Sequence, residues 1–264
     1  MVFIHMASSL IVFPEHHNGV FSKSYLGKIA KKQAFFKIYQ KNKTKTFNRN
    51  IDRYHQIILE RASELKLTPK LLYSSENITI HEFIENRNLV KKQFFKAPYL
   101  QSFNKKIKIF HKIEKTKIPT LYSQIIDYKK TLKKNNFIKI ILNRKEDISK
   151  YINLYKQENL CHGDLHFKNM ILSKKNIYFI DLDYICVSSR GYDIAVLAYQ
   201  ERLSLKKIKE LSFHLEIDIN EIKHYEPICL LLDYLWQEVQ IELKIIKKNT
   251  IRKKIIKNFL KSIS

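Results

Sequence analysis

Residues 161–184 read CHGDLHFKNMILSKKNIYFIDLDY, and the reading of this stretch decides the fold. Two apolar, β-rich runs, Met170 to Leu172 and Ile177 to Leu182, flank the polar Ser173-Lys174-Lys175-Asn176. That is the pattern of a β-hairpin. A turn centred on Lys175 places Asn169 opposite Asp181, twelve residues later. Directly opposed residues on antiparallel strands lie about 5 Å apart at Cβ. An amide oxygen and a carboxylate so placed can share one hard cation such as Mg2+. Asp164 stays one loop away, free to face a hydroxyl.

His162, Asp164 and Asn169 have the spacing H-x-D-x-x-x-x-N, that of the catalytic loop in protein kinases. Phosphoryl transfer is accelerated mainly by positioning and by cations that neutralise phosphate oxygens, so the base and the metal ligands must be different residues. On this reading Asp164 orients and deprotonates the attacking hydroxyl. Asn169 and Asp181 hold Mg2+ against the β- and γ-phosphates of ATP, and His162 braces the catalytic loop by hydrogen bonds. Two other readings compete. Asp164 and Asn169 could simply cap loops. Alternatively, His162, Asp164 and His166 at period two would share one face of a strand and suit a metallohydrolase. The latter leaves Asn169 and the Asp181 hairpin unexplained, and Gly163 within it suggests a loop.

These residues resemble the aminoglycoside phosphotransferase and choline kinase-like superfamily of small-molecule kinases, whose signature is HGDLHxxN followed by IDxxY. The signature here is His162-Gly163-Asp164-Leu165-His166-Phe167-Lys168-Asn169 and Ile180-Asp181-Leu182-Asp183-Tyr184. With Arg190-Gly191-Tyr192-Asp193-Ile194-Ala195 following, the segment looks most like the thiamine kinase and choline/ethanolamine kinase branches. The resemblance implies an α+β, bilobal protein-kinase-like fold with a small antiparallel β N-lobe and a mainly helical C-lobe. It places the nucleotide-binding lobe at residues 1–84 and the helical lobe, with catalytic loop and substrate site, at 85–264. ATP and Mg2+ are the implied cofactors, and a small cationic alcohol is the implied phosphoryl acceptor. Asp193 matches an aspartate that braces the catalytic loop from the following helix.

The resemblance extends upstream. Gly19-Val20-Phe21-Ser22-Lys23-Ser24-Tyr25-Leu26 looks like the nucleotide loop of those kinases. With one glycine in it, the phosphate-cradling role falls to backbone amides near Val20 to Ser22 and to the Ser22 hydroxyl. Next come a strand from Ser24 to Ala30, a turn at Lys31-Lys32-Gln33, and a strand from Ala34 to Tyr39. Lys37 lies inside that otherwise apolar strand and matches the lysine that binds the α- and β-phosphates. With 49 Lys and Arg in the chain, the other reading is a chance lysine on an exposed strand face. The resemblance also implies a glutamate on the next helix, about Asn50 to Leu67, to orient that lysine. His55 or Gln56 stands in its place, and Glu60 one turn further could substitute. Two strands follow Pro69, and backbone groups of Glu82 to Ile84 would read adenine at the hinge.

Substrate choice falls to the carboxy-terminal region. Ile228 to Ile246 reads as one helix, with Leu231, Leu232, Leu235, Val239 and Leu243 on its apolar side. Trp236, the only tryptophan, reads either as core or as a wall facing a substrate cation. In the choline kinase branch a second aromatic sits one turn earlier, where this chain has Asp233. Asp183 and Tyr184 would add acidic and π character to the same cleft.

At 264 residues the chain can bury a sizeable core. Cys161, Cys186 and Cys229 have no zinc spacing, and their odd number argues for reduced cytosolic thiols in a cytoplasmic protein. No apolar run reaches a membrane span, and Met1 to Phe13 reads as a first strand rather than a signal peptide. The net charge is +24, and residues 101–150 carry 14 Lys and Arg against 4 Asp and Glu, a net +10. That segment has helical periodicity, as in Phe103-Ile107-Phe110-His111-Ile113, so its lysines read as the solvated face of an amphipathic helix. No nucleic-acid-binding motif accompanies them. The compact length without large insertions resembles the thiamine kinase branch, which leans the substrate towards thiamine, with choline or ethanolamine next. An aminoglycoside acceptor and a non-catalytic kinase-fold protein are the alternatives. The oligomeric state is not encoded in any motif here.

Overall fold

Five antiparallel strands open the chain: β1 (Leu10–Asn18), β2 (Ser22–Ile29), β3 (Lys32–Tyr39), β4 (Leu71–Ser75) and β5 (Ile78–Glu82). They form one sheet in the order β1-β2-β3-β5-β4. The computed structural model describes residues 10–18, 22–39, 52–85, 87–88, 91–132, 136–245 and 251–263. Gly19, Val20 and Phe21, where the sequence places the nucleotide loop, lie outside them. Pro14 falls in the edge strand β1, whose register with β2 shifts between Val12 and Glu15 and again before His17. Proline has no N–H to give to a ladder, which confines it to edges and bulges.

Alternation along β3 separates two environments. Ala34 and Phe36 turn into a core with Ile80, flanked by Tyr25, Ile29, Tyr73 and Ile78. Lys37 and Tyr39 share the other parity. In register, Lys37 lies between Ser24 of β2 and Thr79 of β5, both buried. Helix α1 (Arg53–Glu64) starts at Asp52, whose carboxylate accepts the His55 N–H, and buries Ile58, Leu59 and Ala62.

By Cα proximity the chain forms two compact units: unit 1, Met1–Thr116 with Lys168–Asp183, and unit 2, Lys117–Phe167 with Tyr184–Ser264. The sequence division at residue 84 follows chain order, whereas these units assign the 168–183 hairpin to the amino-terminal part. Unit 1 adds β6 (Arg87–Asn88), α2 (Lys91–Phe94), α3 (Ala97–Phe110), β8 (Met170–Ser173) and β9 (Asn176–Phe179). Phe179 of β9 sits edge-on to Phe103 and Phe110 of α3, with centroids 6.2 and 5.8 Å apart. Phe94 packs on Phe103 at 4.9 Å, and all four rings are fully buried. Each such pair adds about 0.5–1.5 kcal/mol beyond its buried area. The Phe179 N–H donates to Leu67 O (2.8 Å) and the Ile177 N–H to Ser102 Oγ (3.1 Å). The hairpin is thereby pinned to α3 and to the turn that follows α1. In the basic segment, Lys105 is exposed, as are Lys112 and Lys117. Lys106 instead donates to Lys66 O at 2.7 Å and lies 3.9 Å over the Tyr178 ring.

Unit 2 contains α4 (Leu121–Thr131), α5 (Asn136–Asn143), α6 (Lys145–Ile152), β7 (Asn159–Cys161), β10 (Cys186–Ser188) and α7 (Arg190–Gln200). It continues with α8 (Leu205–Leu215), α9 (Ile219–His224), α10 (Glu226–Glu242) and α11 (Ile251–Ser262). Residues 191–198 of α7 are all buried, which makes it the central helix of the unit. Strands β7 and β10 pair with Cys161 opposite Cys186. The three cysteines are buried, and none is in a disulfide. No helix among the described residues is long and apolar enough to cross a membrane.

Two of the tight hairpins, β2–β3 and β8–β9, turn on two left-handed residues each, Ala30-Lys31 (φ +46°, +68°) and Lys174-Lys175 (φ +44°, +72°). Such turns match strand twist but favour Asn and Gly. The chain has four glycines, and Ala30 and three lysines take these places instead, at a cost of about 1 kcal/mol per left-handed residue. Replacing the exposed pair by Lys174→Asn with Lys175→Gly is expected to stabilise the protein by about 1 kcal/mol, read as a higher urea midpoint. His81 on β5 supplies a second expectation. Burial lowers its pKa from 6.5 to about 4, partly opposed by its hydrogen bond to Pro69 O. The folded state keeps this imidazole neutral while the unfolded chain protonates it below 6.5. Stability is therefore full above that pH and falls, by up to about 3 kcal/mol, as pH drops towards 4. Denaturation of His81→Asn should lack that component.

Candidate active site

Beyond β7, residues 162–166 form an irregular loop that enters a 3-10 turn, Phe167–Asn169. His162, Asp164 and His166 are therefore not on one strand face, which removes the geometry of the metallohydrolase reading. His162 is fully buried. Its N–H donates to Asp193 Oδ2 (2.9 Å) and the Gly163 N–H to Asp193 Oδ1 (3.0 Å). The Asp164 N–H points at His162 Nδ1 (3.3 Å), and His166 Nε2 is 3.6 Å from Asp164 Oδ2. At the far end of the loop the Phe167 N–H donates to Glu201 Oε1 at 2.7 Å. One helix thus holds the loop twice, through Asp193 in its first turn and Glu201 at its C-cap. Amide hydrogen bonds to ionised carboxylates are about twice as strong as neutral ones.

Gly163 has φ +78°, and a Cβ there would lie 2.0 Å from Tyr184 O. That carbonyl and the next, Ile185 O, accept from Gln124 Nε2 at 3.0 and 3.1 Å. The Tyr184 ring is edge-on to Trp236, centroids 6.4 Å apart. Trp236 is half-buried, one turn after Asp233 on α10. Asp233 accepts from the Tyr199 hydroxyl (2.7 Å) and from Gln237 Nε2 (3.3 Å). Asp164, Tyr184, Asp233 and Trp236 all belong to unit 2.

Unit 1 carries the other set. Because the hairpin turns on Lys174-Lys175 rather than about Lys175 alone, Met170 pairs with Phe179. Asn169 then faces Ile180, whose N–H donates to Asn169 O at 3.0 Å. This corrects the sequence register, in which Asn169 faced Asp181. Asp181 lies one residue beyond, with a left-handed backbone (φ +62°). Lys37 Nζ is 2.6 Å from Asp181 Oδ1 and 2.7 Å from Asp183 Oδ2, while the Tyr39 hydroxyl donates to Asp183 Oδ1 at 3.0 Å. Burial opposes the Lys37 charge, but Asp183 and then Asp181 overcome it and hold its pKa well above the ordinary value. Burial, then Asp183, likewise pushes the Tyr39 phenol up. Glu60, the sequence's substitute for a helix glutamate, is exposed on α1, and Lys37 is taken by the two aspartates. In the segment expected to read adenine, the Glu82 N–H donates to Lys70 O and the Phe83 N–H to Gln33 O. Ser22 begins β2 opposite Tyr39.

Two carboxylates meeting at one ammonium mark a point built to hold positive charge. With the buried amide of Asn169 on the same hairpin, the donor set is all oxygen, which suits Mg2+. Sequence reasoning passed over Tyr39 and Glu201. Tyr39 was within reach, since period two puts it on the face of Lys37. Glu201, eight residues after Asp193, carried no local signal. Two variants test the loop brace. Gly163→Ala and Asp193→Ala should each lose at least about 2 kcal/mol of stability, through a backbone clash with strain in the first and orphaned buried N–H groups in the second. Urea denaturation checks both.

A model of the family described as choline/ethanolamine kinase matches residues 16–263. The Protein LicA homolog of Mycoplasma capricolum subsp. capricolum is 26% identical over 146 residues, 54% of this chain and 59% of that protein. The match therefore spans somewhat over half of that relative. Choline kinase LicA from Streptococcus pneumoniae has a TM-score of 0.78 at 20% identity, covering 99% of this chain and 98% of that one. A Plasmodium vivax ethanolamine kinase has a TM-score of 0.70 at 20% identity, covering 96% and 82%. At these identities the structures speak for the fold, which is α+β and protein-kinase-like. With the family pattern running through both units from residue 16 to residue 263, the chain belongs to the choline/ethanolamine kinase family.

Proposed function

We propose that this chain is an ATP-dependent kinase that phosphorylates the hydroxyl of choline or ethanolamine. The observation that carries this reading is the meeting of Lys37 with Asp181 and Asp183. It puts a buried ammonium and two carboxylates beside the Asn169 hairpin, the groups needed to hold a triphosphate and its cation. Lys37 binds the α- and β-phosphates, and Asn169 and Asp181 would hold Mg2+, which would neutralise phosphate charge during transfer. With the N–H groups of Glu82 and Phe83 used by the sheet, adenine is read by the Glu82 carbonyl and the Ile84 N–H. The Ser22 hydroxyl serves the phosphates from the start of β2.

Asp164 takes the proton of the attacking hydroxyl. Its backbone is held through His162, Asp193 and Glu201, so the carboxylate meets the acceptor without reorganising. Tyr184 and Trp236 offer π faces to the substrate cation and Asp233 offers a carboxylate. A desolvated cation–π contact contributes about 2 kcal/mol. A carboxylate in place of a further ring suits an ammonium that carries N–H donors, which favours ethanolamine over choline. The lean to thiamine rested on compact length. The pneumococcal choline kinase has nearly the same extent, so length does not separate those substrates.

The test is Mg2+-dependent ATP consumption with ethanolamine, choline, thiamine and kanamycin in parallel. Turnover is expected with ethanolamine or choline. Turnover with kanamycin alone, or nucleotide binding with no turnover on any acceptor, would overturn the proposal. Asp164→Ala should reduce kcat by about 10²–10⁴-fold while ATP still binds. Near-normal activity in that variant would remove the mechanism.

A further inference from the structure

The two carboxylates on Lys37 are not equivalent. The Asp181 side chain is 41% exposed, whereas that of Asp183 is 14% exposed and the Lys37 side chain 12%. Both oxygens of Asp183 are engaged, Oδ2 by the Lys37 ammonium and Oδ1 by the Tyr39 hydroxyl. Lys37 and Tyr39 stand two residues apart on β3, on the same face, so one carboxylate spans both side chains. A two-point grip fixes its plane as well as its position. The Tyr39 hydroxyl is the donor in its bond to Asp183. Of the two carboxylates, Asp181 is the more exposed and so the one more easily turned from Lys37 to a cation, whereas Asp183 is tied to two side chains of β3 at once.

From this asymmetry, and resting on the nucleotide reading of unit 1, we propose that Asp183, clamped by Tyr39, is the positioning residue for Lys37. It holds the ammonium at one point on the β3 face while Asp181 is committed to the cation. The duty lies on the hairpin and on β3 because α1 brings no acidic side chain to Lys37. Tyr39 acts through Asp183 and touches no reacting atom.

The experiment uses the full chain and three variants: Asp183→Asn, Tyr39→Phe and Asp181→Asn. The first readout needs no nucleotide. It is the rate at which an amine-acylating reagent modifies Lys37, followed by peptide mass spectrometry against exposed lysines as the internal standard. An ammonium locked between carboxylates reacts slowly, so Asp183→Asn should speed Lys37 modification about tenfold. Tyr39→Phe, which keeps the ring, should act in the same direction but less. The second readout is the Mg2+ dependence of turnover. In Asp183→Asn, kcat/KM for ATP should fall by about a hundredfold with no change in the Mg2+ concentration for half-maximal rate. In Asp181→Asn that concentration should rise. Unchanged Lys37 modification in both Asp183→Asn and Tyr39→Phe would overturn the proposal. So would recovery of Asp183→Asn activity on raising Mg2+, which would make Asp183 a metal ligand. Tyr39→Phe decides the matter if Asp183→Asn does not fold. A wild-type chain without turnover would sink the kinase reading while the modification rates still judge the clamp.

Discussion

A buried ammonium group cannot be left without counter-charge, and in unit 1 that constraint falls on Lys37. Removing a lysine's charge from water costs several kcal/mol, recovered only by close carboxylates whose remaining lone pairs are also satisfied. Asp181 and Asp183 provide them, and Tyr39 completes Asp183. Those carboxylates stand about 145 residues from Lys37 in the chain. Their arrival depends on the hairpin being held elsewhere. The buried Phe179 among Phe94, Phe103 and Phe110 does that, with its N–H donating to Leu67 O and the Ile177 N–H to Ser102 Oγ. An aromatic core contact thus delivers an electrostatic one.

Unit 2 solves a different problem by a different means. The irregular loop that carries Asp164 has backbone N–H groups with no sheet or helix to take them, and orphaned donors are costly. Asp193 takes two of them and Glu201 a third. Both carboxylates belong to the ends of α7, the most buried helix of the unit, so the loop inherits the rigidity of that helix. Gly163 is required because its left-handed backbone lies against the Tyr184 carbonyl, which Gln124 holds from the side.

The strongly basic composition acts mostly through the backbone and the surface. Six of the ten non-glycine residues with positive φ among those described are lysines. In a chain with four glycines, lysine occupies turns where its long side chain reaches solvent and its Cβ strain is tolerated. Lys106 shows the exception within the basic segment. It is turned inward over Tyr178, and its pKa is lowered to about 8 by burial and then by Lys105.

Much of the fold was legible in 24 residues. The loop spacing and hairpin pattern of 161–184 carried the resemblance to a family of kinase-like α+β fold, because both are local: a run of backbone with fixed offsets between an aspartate, an amide and a second aspartate. The helix from Glu226 and the strand bearing Lys37 were legible for the same reason, through periodicity. What the tertiary structure alone decided is which distant groups meet. The sequence pattern centred the hairpin on one residue and set Asn169 against Asp181; the two left-handed lysines moved the register so that Asn169 faces Ile180. It looked for a helix glutamate beside Lys37; burial of the ammonium instead drew in Asp183 and Tyr39. Local order follows from spacing along the chain. The pairing of charges over more than 140 residues follows from desolvation, whose cost is set only once the core around Phe179 has closed.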